Sequence, residues 1–305
     1  MADSLNSDDS RDLWSESKKI NSMGKPCPSS VDGKTGDANI ATVFADNCRT
    51  LYNSVSFDPD EMSRLESELS SRVRSCCCSS SCHGSHTFNV PDVRRAIGFF
   101  KGGKRDGVLS TDHVINAGPD FAAHFSLLCS IMISHGYSPG RLLSATVVPI
   151  PKNLRKSVND SNNYRGIALN SPVSKLFELV ILKTHRDALS TTDLQFGYKK
   201  GLSTSSCTYV ADEVIQSYLN GGNDVHIMLL DASKAFDCVN YVTLFRQLML
   251  KRLCPLICRV LLFMHVAQII QVSWNSHLSE PFTVSNGVKQ GGGGGSIPCS
   301  IFNLH

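Results

Sequence analysis

Asp231 is the side chain whose position in the sequence is most typical of a catalytic group. It follows directly on the apolar run from Val225 to Leu230, which predicts a central strand buried on both faces. The carboxyl end of such a strand is where α/β sheets usually bind their ligands. A carboxylate there could hold Mg²⁺, because this hard cation prefers oxygen ligands. The alternative is that Asp231 only caps the next helix.

The residues around Asp231 resemble a known motif. The segment LLDASKAFDCV (229–239) is similar to the first palm motif of LINE-type (non-LTR retrotransposon) reverse transcriptases. The resemblance implies that Asp231 is a catalytic carboxylate that binds the metal ions, which are expected to be Mg²⁺. It also implies that Phe236 contacts the incoming nucleotide and excludes a ribose 2′-OH. Asp237 is typical of the motif but is no metal ligand there, so we interpret it as an N-cap or an ion-pair residue.

Two segments before Asp231 resemble the fingers motifs of the same family. They are VVPIPKN (147–153) and NYRGIALNSPVSKLFELVI (163–181). The match implies that Lys152 and Arg165 contact the triphosphate of an incoming nucleotide, and two cations facing three phosphates are electrostatically sound. Taken singly, each residue could also be a solvated surface charge.

Further blocks follow the order of the family. The segment RTLYNSVSFDPDEM (49–62) resembles the connector that precedes the polymerase. QFGYKKGLSTSSC (195–207) resembles a block near the template, which implies that Lys199 and Lys200 approach template phosphates. SNGVKQGG (285–292) resembles the opening of the next palm helix, which implies that Gln290 contacts the base and sugar of the nucleotide. The resemblance covers nearly the whole chain.

The sequence departs from the family pattern in two places. Gln290 and Phe302 are twelve residues apart, three more than in the family, and residues 291–295 are five consecutive glycines. Each glycine weakens a helix by roughly 0.5–1 kcal/mol relative to alanine, so Gln290 is expected to be poorly oriented. The sequence also ends at His305 without the Tyr-x-Asp-Asp hairpin that supplies further catalytic carboxylates in the family. We therefore expect an incomplete magnesium site, no polymerase activity from this chain alone, and an uncovered apolar strand at residues 225–231.

The predicted elements indicate a mixed α+β fold, which the resemblance identifies as the fingers and partial palm of a right-hand polymerase. Residues 1–86 are expected to form a flexible connector with one or two helices, residues 87–200 the fingers, and residues 201–305 the truncated palm. Hydrophobic periodicity predicts helices at 40–51, 59–73, 121–133, 173–181, 209–219, 241–252 and 254–265, and strands at 145–150, 164–169, 225–230, 268–274 and 281–284.

Charge is distributed unevenly along the chain. Residues 1–90 carry 9 Lys and Arg against 13 Asp and Glu, whereas residues 91–305 carry 21 against 14. The basic excess lies in the part that resembles a polymerase, and it permits a polyanionic partner. The partners that the resemblance implies are an RNA template, a DNA primer and deoxynucleotides.

The sequence is unlike that of a secreted or membrane protein. Its first residues are acidic and polar rather than those of a signal peptide, and its longest apolar stretch (253–274) is interrupted by charged and polar side chains. We therefore expect a soluble intracellular protein without a membrane partner, whose 12 cysteines are free thiols. A cluster of six Cys and His residues could bind zinc, although it lies in one short Ser-rich segment, unlike the separated pairs of most zinc sites. Its members are Cys76, Cys77, Cys78, Cys82, His83 and His86, and we expect an exposed loop there.

Three functions remain open on the sequence. The first is a reverse transcriptase fragment that is inactive alone. The second is a nucleic-acid-binding remnant without catalysis, and the third is a degenerate transposon product without function. Nucleotide incorporation tests the first function, and the salt dependence of nucleic-acid binding tests the second.

Overall fold

The computed structural model describes residues 28–76, 87–103, 109–186, 188–189, 193–197, 199, 201–231 and 234–288. The helices are α1 (Asp37–Leu51), α2 (Pro59–Cys76), α3 (Val90–Ile97), α4 (Thr111–Ile115), α5 (Gly118–His135), α6 (Gly140–Leu143), α7 (Pro172–Thr184), α8 (Thr204–Asn220), α9 (Tyr241–Leu250) and α10 (Pro255–Val266). The strands are β1 (Ser30–Val31), β2 (Lys34–Thr35), β3 (Ser144–Pro151), β4 (Tyr164–Asn170), β5 (Ile269–Trp274), β6 (His277–Leu278) and β7 (Phe282–Thr283). This combination of helices and strands confirms the mixed α/β class.

The main sheet contains both parallel and antiparallel pairs. β3 lies between β4 and β5, antiparallel to the first and parallel to the second, so that Val147 pairs with Ala168 on one side and Val272 on the other. β6 and β7 both pair with β5 in antiparallel orientation. The β3–β4 hairpin is the longest pairing, and its far end carries two of the predicted site residues.

The described residues bury two hydrophobic cores. One lies among the helices and is built mainly from α2, α5, α7, α9 and α10. The other lies between α1 and the sheet, where Phe44 stacks on Trp274 with 5.1 Å between ring centroids and meets Tyr164 edge-on at 4.9 Å. The two helices predicted for the connector are therefore confirmed, and each contributes to a core. The domain boundary at residue 86 stays a prediction, because residues 77–86 lie outside the described part of the chain.

The helix predicted at residues 173–181 is confirmed as α7. The Ser171 hydroxyl accepts a hydrogen bond from the backbone N–H of Val173 at 3.3 Å, and Pro172 occupies the first turn, where its missing N–H is harmless. Four residues of the predicted range recur at helical spacing and are fully buried: Leu176, Phe177, Val180 and Ile181.

The apolar C-terminal helices α9 and α10 are also confirmed. Asn240 caps α9, since its side-chain oxygen accepts a hydrogen bond from the backbone N–H of Thr243 at 3.0 Å. α10 is apolar on most of its surface and lies against α2, α5 and α9. Within the described ranges, no helix is both long and apolar enough to cross a membrane.

The central buried strand predicted at residues 225–230 is wrong. Residues 223–231 form neither helix nor strand, and the side chains of Leu229 and Leu230 are 92% and 89% exposed. An apolar run becomes a buried strand only when neighbouring strands pair with it and another layer covers it. Here the sheet is formed by β3 to β7 without this segment. The run of apolar residues gave no information on that pairing.

The C-terminal end of α5 is held by a side chain from α10. Gly136 ends the helix with a φ angle of 65°, and the Nη2 of Arg259 donates to the carbonyl oxygens of Ile133 and Ser134 at 3.2 and 2.7 Å. The negative end of a helix dipole favours a cation at this position. A Cβ atom at residue 136 would collide with the Arg259 side chain.

We expect Gly136→Ala to lower the free energy of unfolding by about 2–3 kcal/mol, as measured by urea denaturation. The left-handed conformation costs an alanine about 1–2 kcal/mol, and displacing Arg259 weakens two charged hydrogen bonds. Gly222→Ala is the matched control, because Gly222 also follows a helix with a φ angle of 75° but has no other described residue within 4 Å of its Cβ position. Equal losses for the two variants would contradict the role given to Arg259.

Candidate functional site

The β3–β4 hairpin places Lys152 and Arg165 at the same end of the sheet. Lys152 directly follows β3, and Arg165 lies opposite Ile150 in the register of the two strands. The backbone N–H of Lys152 donates to the carbonyl oxygen of Asn163 at 2.6 Å, which continues the pairing beyond the last strand residue. Both side chains are exposed, so their charges are available to a ligand.

The loop that joins β3 to β4 is held by side-chain amides. Asn163 is buried, and its side chain donates to the carbonyl oxygens of Asn153 and Ser157 at 2.8 and 3.0 Å. From outside the loop, the Asp32 carboxylate accepts a hydrogen bond from the backbone N–H of Ser161 at 3.0 Å. These bonds fix the loop and therefore the backbone on which Lys152 lies.

The turn at residues 234–240 brings a carboxylate to the two cations. The backbone N–H groups of Asp237 and Cys238 both donate to the carbonyl oxygen of Lys234, at 2.9 and 3.0 Å. Burial raises the pKa of the Asp237 carboxyl, whereas the positive charges of Lys234, Arg165 and Lys152 act to lower it. Three cations from three separate segments thus lie close enough to act on one carboxylate. We call Lys152, Arg165, Lys234 and Asp237 the cationic cluster.

Asn286 fixes this turn against the end of α1. It is 1% exposed, and its Nδ2 donates to the carbonyl oxygens of Asp237 and Leu51 at 2.6 and 3.1 Å. Its Oδ1 accepts a hydrogen bond from the backbone N–H of Val55 at 3.1 Å. The next residue, Gly287, lies so near the carbonyl of Asp237 that a Cβ atom would be 2.6 Å from that oxygen. The position of Asp237 therefore depends on contacts with residues far away in the sequence.

Two weakly acidic side chains of α1 and its C-terminal end lie near Asp237. Burial, followed by the Asp237 charge, raises the pKa of the Cys48 thiol to about 12. The same two causes raise the pKa of the Tyr52 hydroxyl. Both groups are therefore neutral near pH 7 and add no negative charge to the cationic cluster.

Asp231 does not occupy the position that the sequence predicted. It is exposed, lies after an unpaired segment rather than a strand, and has no hydrogen bond or ion pair to another described residue. The alternative, that Asp231 caps the next helix, is wrong because Asn240 caps α9. Asn240 also excludes the N-cap interpretation of Asp237. Among the described residues no cation lies within ion-pair distance of Asp237, so the ion-pair interpretation stays a prediction.

The other predicted site residues are only partly described. Phe236 is partly buried and packs against the helical core, and its carbonyl oxygen accepts a hydrogen bond from Val288 at 2.8 Å. The Nζ of Lys199 lies 3.8 Å from a carboxylate oxygen of Asp193. Lys200 and Gln290 lie outside the described residues, as do the glycine run and most of the Cys and His cluster; only Cys76 is described, buried at the end of α2. Their predicted roles stay predictions.

The described residues do not fit a pair of magnesium ions. Among them, no group of three or more His, Cys, Asp and Glu side chains is arranged to hold a metal ion. Asp231 and Asp237 belong to no such group, and the positive charges that act on Asp237 would repel a divalent cation. The chemistry that this arrangement favours is the binding of anions.

Sequence reasoning missed two features of this site. It noted Asp237 but not its position among Lys152 and Arg165, and it quoted Asn286 only as part of the segment that leads to Gln290. The side chain of Asn286 reaches partners 231 and 235 residues away along the chain. A sequence pattern confined to one segment carries no signal for such contacts.

Comparison with known proteins identifies no relative of this chain. No protein-family model matches the chain, and no curated protein is significantly similar to it. The function is therefore argued from the residues and their arrangement.

Proposed function

We propose that this chain is the fingers and partial palm of a LINE-type reverse transcriptase, and that it binds nucleotide and nucleic-acid phosphates without polymerising DNA by itself. The observation that carries the proposal is the placement of Lys152 and Arg165 at one end of the β3–β4 hairpin, where their charges, with that of Lys234, act on Asp237. Lys152 and Arg165 come from the segments that resemble the fingers motifs. Lys234 and Asp237 come from the segment that resembles the first palm motif. Segments that resemble two parts of one polymerase thus lie within electrostatic range of each other, which supports the proposal.

The charge balance of the cationic cluster favours phosphate. The cluster contains three positive side chains and one carboxylate, which leaves an excess of two positive charges. Phosphate oxygens accept hydrogen bonds from Lys and Arg, and arginine can donate two at once. Because the β3–β4 loop and the 234–240 turn are held by backbone and amide hydrogen bonds, these cations need little rearrangement to bind.

Among the described residues, Asp231 belongs to no group of three or more potential metal ligands, which supports the second half of the proposal. Nucleotide transfer in polymerases needs two metal ions that clamp the attacking and leaving oxygens about 3.5–4 Å apart. One exposed carboxylate cannot hold two divalent ions against water. The 305 residues contain no Tyr-x-Asp-Asp sequence that could supply the others. A chain with this site binds substrates but does not join them.

We expect a primed RNA template to bind with an affinity that falls on the order of tenfold to fiftyfold between 50 and 200 mM salt, as for about three phosphate contacts. Filter binding over a salt series measures this. Binding that does not change with salt would contradict the phosphate contacts, and no binding at all would favour a product without function.

Primer extension tests the lack of catalysis. With Mg²⁺ and deoxynucleotides, we expect no incorporation on the same template. Incorporation that Asp231→Ala abolishes would contradict the inactive state, because it would mean that the remaining ligands of the metal ions are supplied. Incorporation that Asp231→Ala leaves unchanged would come from a contaminating polymerase and would leave the expected result in place.

A further inference from the structure

Asp237 is half-buried between the end of α1 and the residues that follow β7. A Cβ atom on Gly287 would lie 2.6 Å from the carbonyl oxygen of Asp237 and 2.8 Å from the ring of Tyr52. The Nδ2 of Asn286 joins the same carbonyl oxygen to that of Leu51. The backbone of Asp237 therefore cannot move towards solvent without breaking these contacts.

The C-terminal turn of α1 also connects Asp237 to the β3–β4 hairpin. The backbone N–H of Tyr52 donates to the carbonyl oxygen of Cys48 at 2.8 Å, so these two residues lie one helical turn apart. On the side of the hairpin, a Cβ atom on Gly166 would lie 3.9 Å from the Sγ of Cys48. Gly166 follows Arg165 in β4. The contacts of α1 thus hold the turn that carries Asp237 near the end of the hairpin that carries Arg165.

Among the described residues, the charged groups that act on Asp237 are all cations. Two come from the hairpin and one from the turn itself: Lys152, Arg165 and Lys234. The other titratable side chains on the elements around it are thiols and phenols: Cys48, Tyr52, Cys238 and Tyr241. Such groups are ordinarily neutral at pH 7 and below, and burial, followed by the Asp237 charge, raises the pKa of Cys48 and of Tyr52 further. Residues 285–288 contain no titratable side chain. Asp237 is therefore the group of this neighbourhood that gains a proton in the acidic range.

The Asp237 carboxylate and a bound phosphate compete for the same cations. The cluster has an excess of two positive charges while Asp237 is ionised, and protonation of Asp237 raises this excess to three. Burial raises the pKa of this carboxyl group, and the cations act to lower it. A phosphate on the cations adds negative charge near the carboxylate and so raises that pKa further. By linkage the reverse also holds, and protonation of Asp237 strengthens phosphate binding.

We propose that phosphate binding at the cationic cluster is coupled to the uptake of a proton from solvent by the Asp237 carboxylate. Affinity rises as the pH falls through the acidic range, and the bound phosphate in turn keeps Asp237 neutral. A rise in pH removes the proton and releases the phosphate. This inference rests on the proposed function, because it concerns how the same site is regulated.

The probe for the test is deoxythymidine triphosphate whose terminal phosphate is esterified to a dye that is insensitive to pH. The ester removes the phosphate proton that would otherwise titrate at about pH 6. We expect the affinity of the unaltered chain, measured by fluorescence anisotropy, to rise at least about threefold from about pH 8 to about pH 5. Asp237→Asn should remove this rise, because its amide does not titrate, and should bind at every pH about as tightly as the unaltered chain does in acid.

Asp160→Asn is the matched control. Asp160 is an exposed carboxylate in the β3–β4 loop, and its Oδ1 accepts a hydrogen bond from the backbone N–H of Asn162 at 2.9 Å. Asparagine keeps an oxygen at this position, so the substitution removes one charge and leaves the loop intact, which far-UV circular dichroism checks at each pH. Its affinity should rise with falling pH as much as that of the unaltered chain.

Titration calorimetry on the unaltered chain measures the proton itself. At about pH 5.5, the binding enthalpies in two buffers with different ionisation enthalpies should differ by the amount that uptake of part of a proton requires. Equal enthalpies in the two buffers would overturn the inference while leaving phosphate binding in place. The same pH dependence in Asp237→Asn and the unaltered chain would do so too. Lack of binding at every pH would overturn the proposed function, and the inference with it.

Discussion

Replacing Lys152 and Arg165 together with glutamine is expected to weaken the binding of a deoxynucleoside triphosphate by about a hundredfold, and Arg165→Gln alone by about tenfold. A hydrogen bond to a charged group contributes about 1.5–3 kcal/mol, and each substitution removes one cation without removing its aliphatic stem. Fluorescence anisotropy of a labelled triphosphate measures the affinity. Both side chains are exposed, so the loss should not come from unfolding.

The β3–β4 loop provides a matched control. Lys156 is exposed in the same loop, but its charge is not among those that act on Asp237. Lys156→Gln should therefore change the affinity by less than about twofold, as expected for a charge that is screened by solvent. An equal loss for Lys156→Gln and Arg165→Gln would mean that only the general positive charge of the loop matters.

Asp237→Asn tests the same cluster, but here we expect the affinity for triphosphate to increase rather than decrease. Removing the carboxylate leaves Lys152, Arg165 and Lys234 without their negative neighbour, so triphosphate should bind several-fold more tightly at low salt. Structural damage cannot produce this result, because damage would weaken binding. A weaker affinity for Asp237→Asn would mean that the carboxylate holds the cations in place rather than competing with the phosphate.

Asn286→Leu is expected to lower the free energy of unfolding by about 2–4 kcal/mol. The leucine is similar in volume but leaves the carbonyls of Leu51 and Asp237 and the N–H of Val55 without their side-chain partner, and a buried unsatisfied polar group costs about 1–3 kcal/mol. Urea denaturation measures the loss. Because the 234–240 turn is then released, triphosphate affinity should fall as well, even at denaturant concentrations where the variant is folded.

Asn53→Leu is the control for this loss. The side-chain amide of Asn53 also donates to two backbone carbonyls, those of Arg49 and Thr283, at 2.9 and 3.3 Å. Asn53 is exposed, so water can replace its hydrogen bonds, and the expected loss is below about 1 kcal/mol. Similar losses for the two variants would show that burial does not decide the contribution of Asn286.

The pattern of apolar residues predicted those helices and strands whose own sequence determines which of their residues are buried. α7 is an example, because its buried residues recur at helical spacing and Ser171 and Pro172 are suited to its start. β3 and β4 are predicted for a similar reason, since each is a short run of residues with high strand propensity. The residues 225–230 satisfy the same local criteria and form no strand, because pairing requires a neighbour that a local pattern does not specify.

The cationic cluster was predictable only in part. The resemblance selected Lys152 and Arg165, and the hairpin register explains why two residues separated by 13 positions lie together. The position of Asp237 beside them depends on the 234–240 turn and on Asn286, whose partners are distant in the sequence. The resemblance also selected Asp231, whose predicted environment required the missing strand. A motif identifies residue types, whereas the environment of each residue depends on tertiary contacts.

The packing of α1 on β5 has a consequence for biosynthesis. Phe44 stacks on Trp274, and the carbonyl oxygen of Leu51 accepts a hydrogen bond from the Asn286 side chain. This part of the chain therefore cannot reach its native partners until about 230 further residues have left the ribosome. At a translation rate of about 5–20 residues per second, the wait is roughly 10–50 s. During that time the apolar face of α1 is open to chaperones and to other nascent chains. We therefore expect the sheet to be the last part of the molecule to fold during synthesis, after the helical core has begun to form.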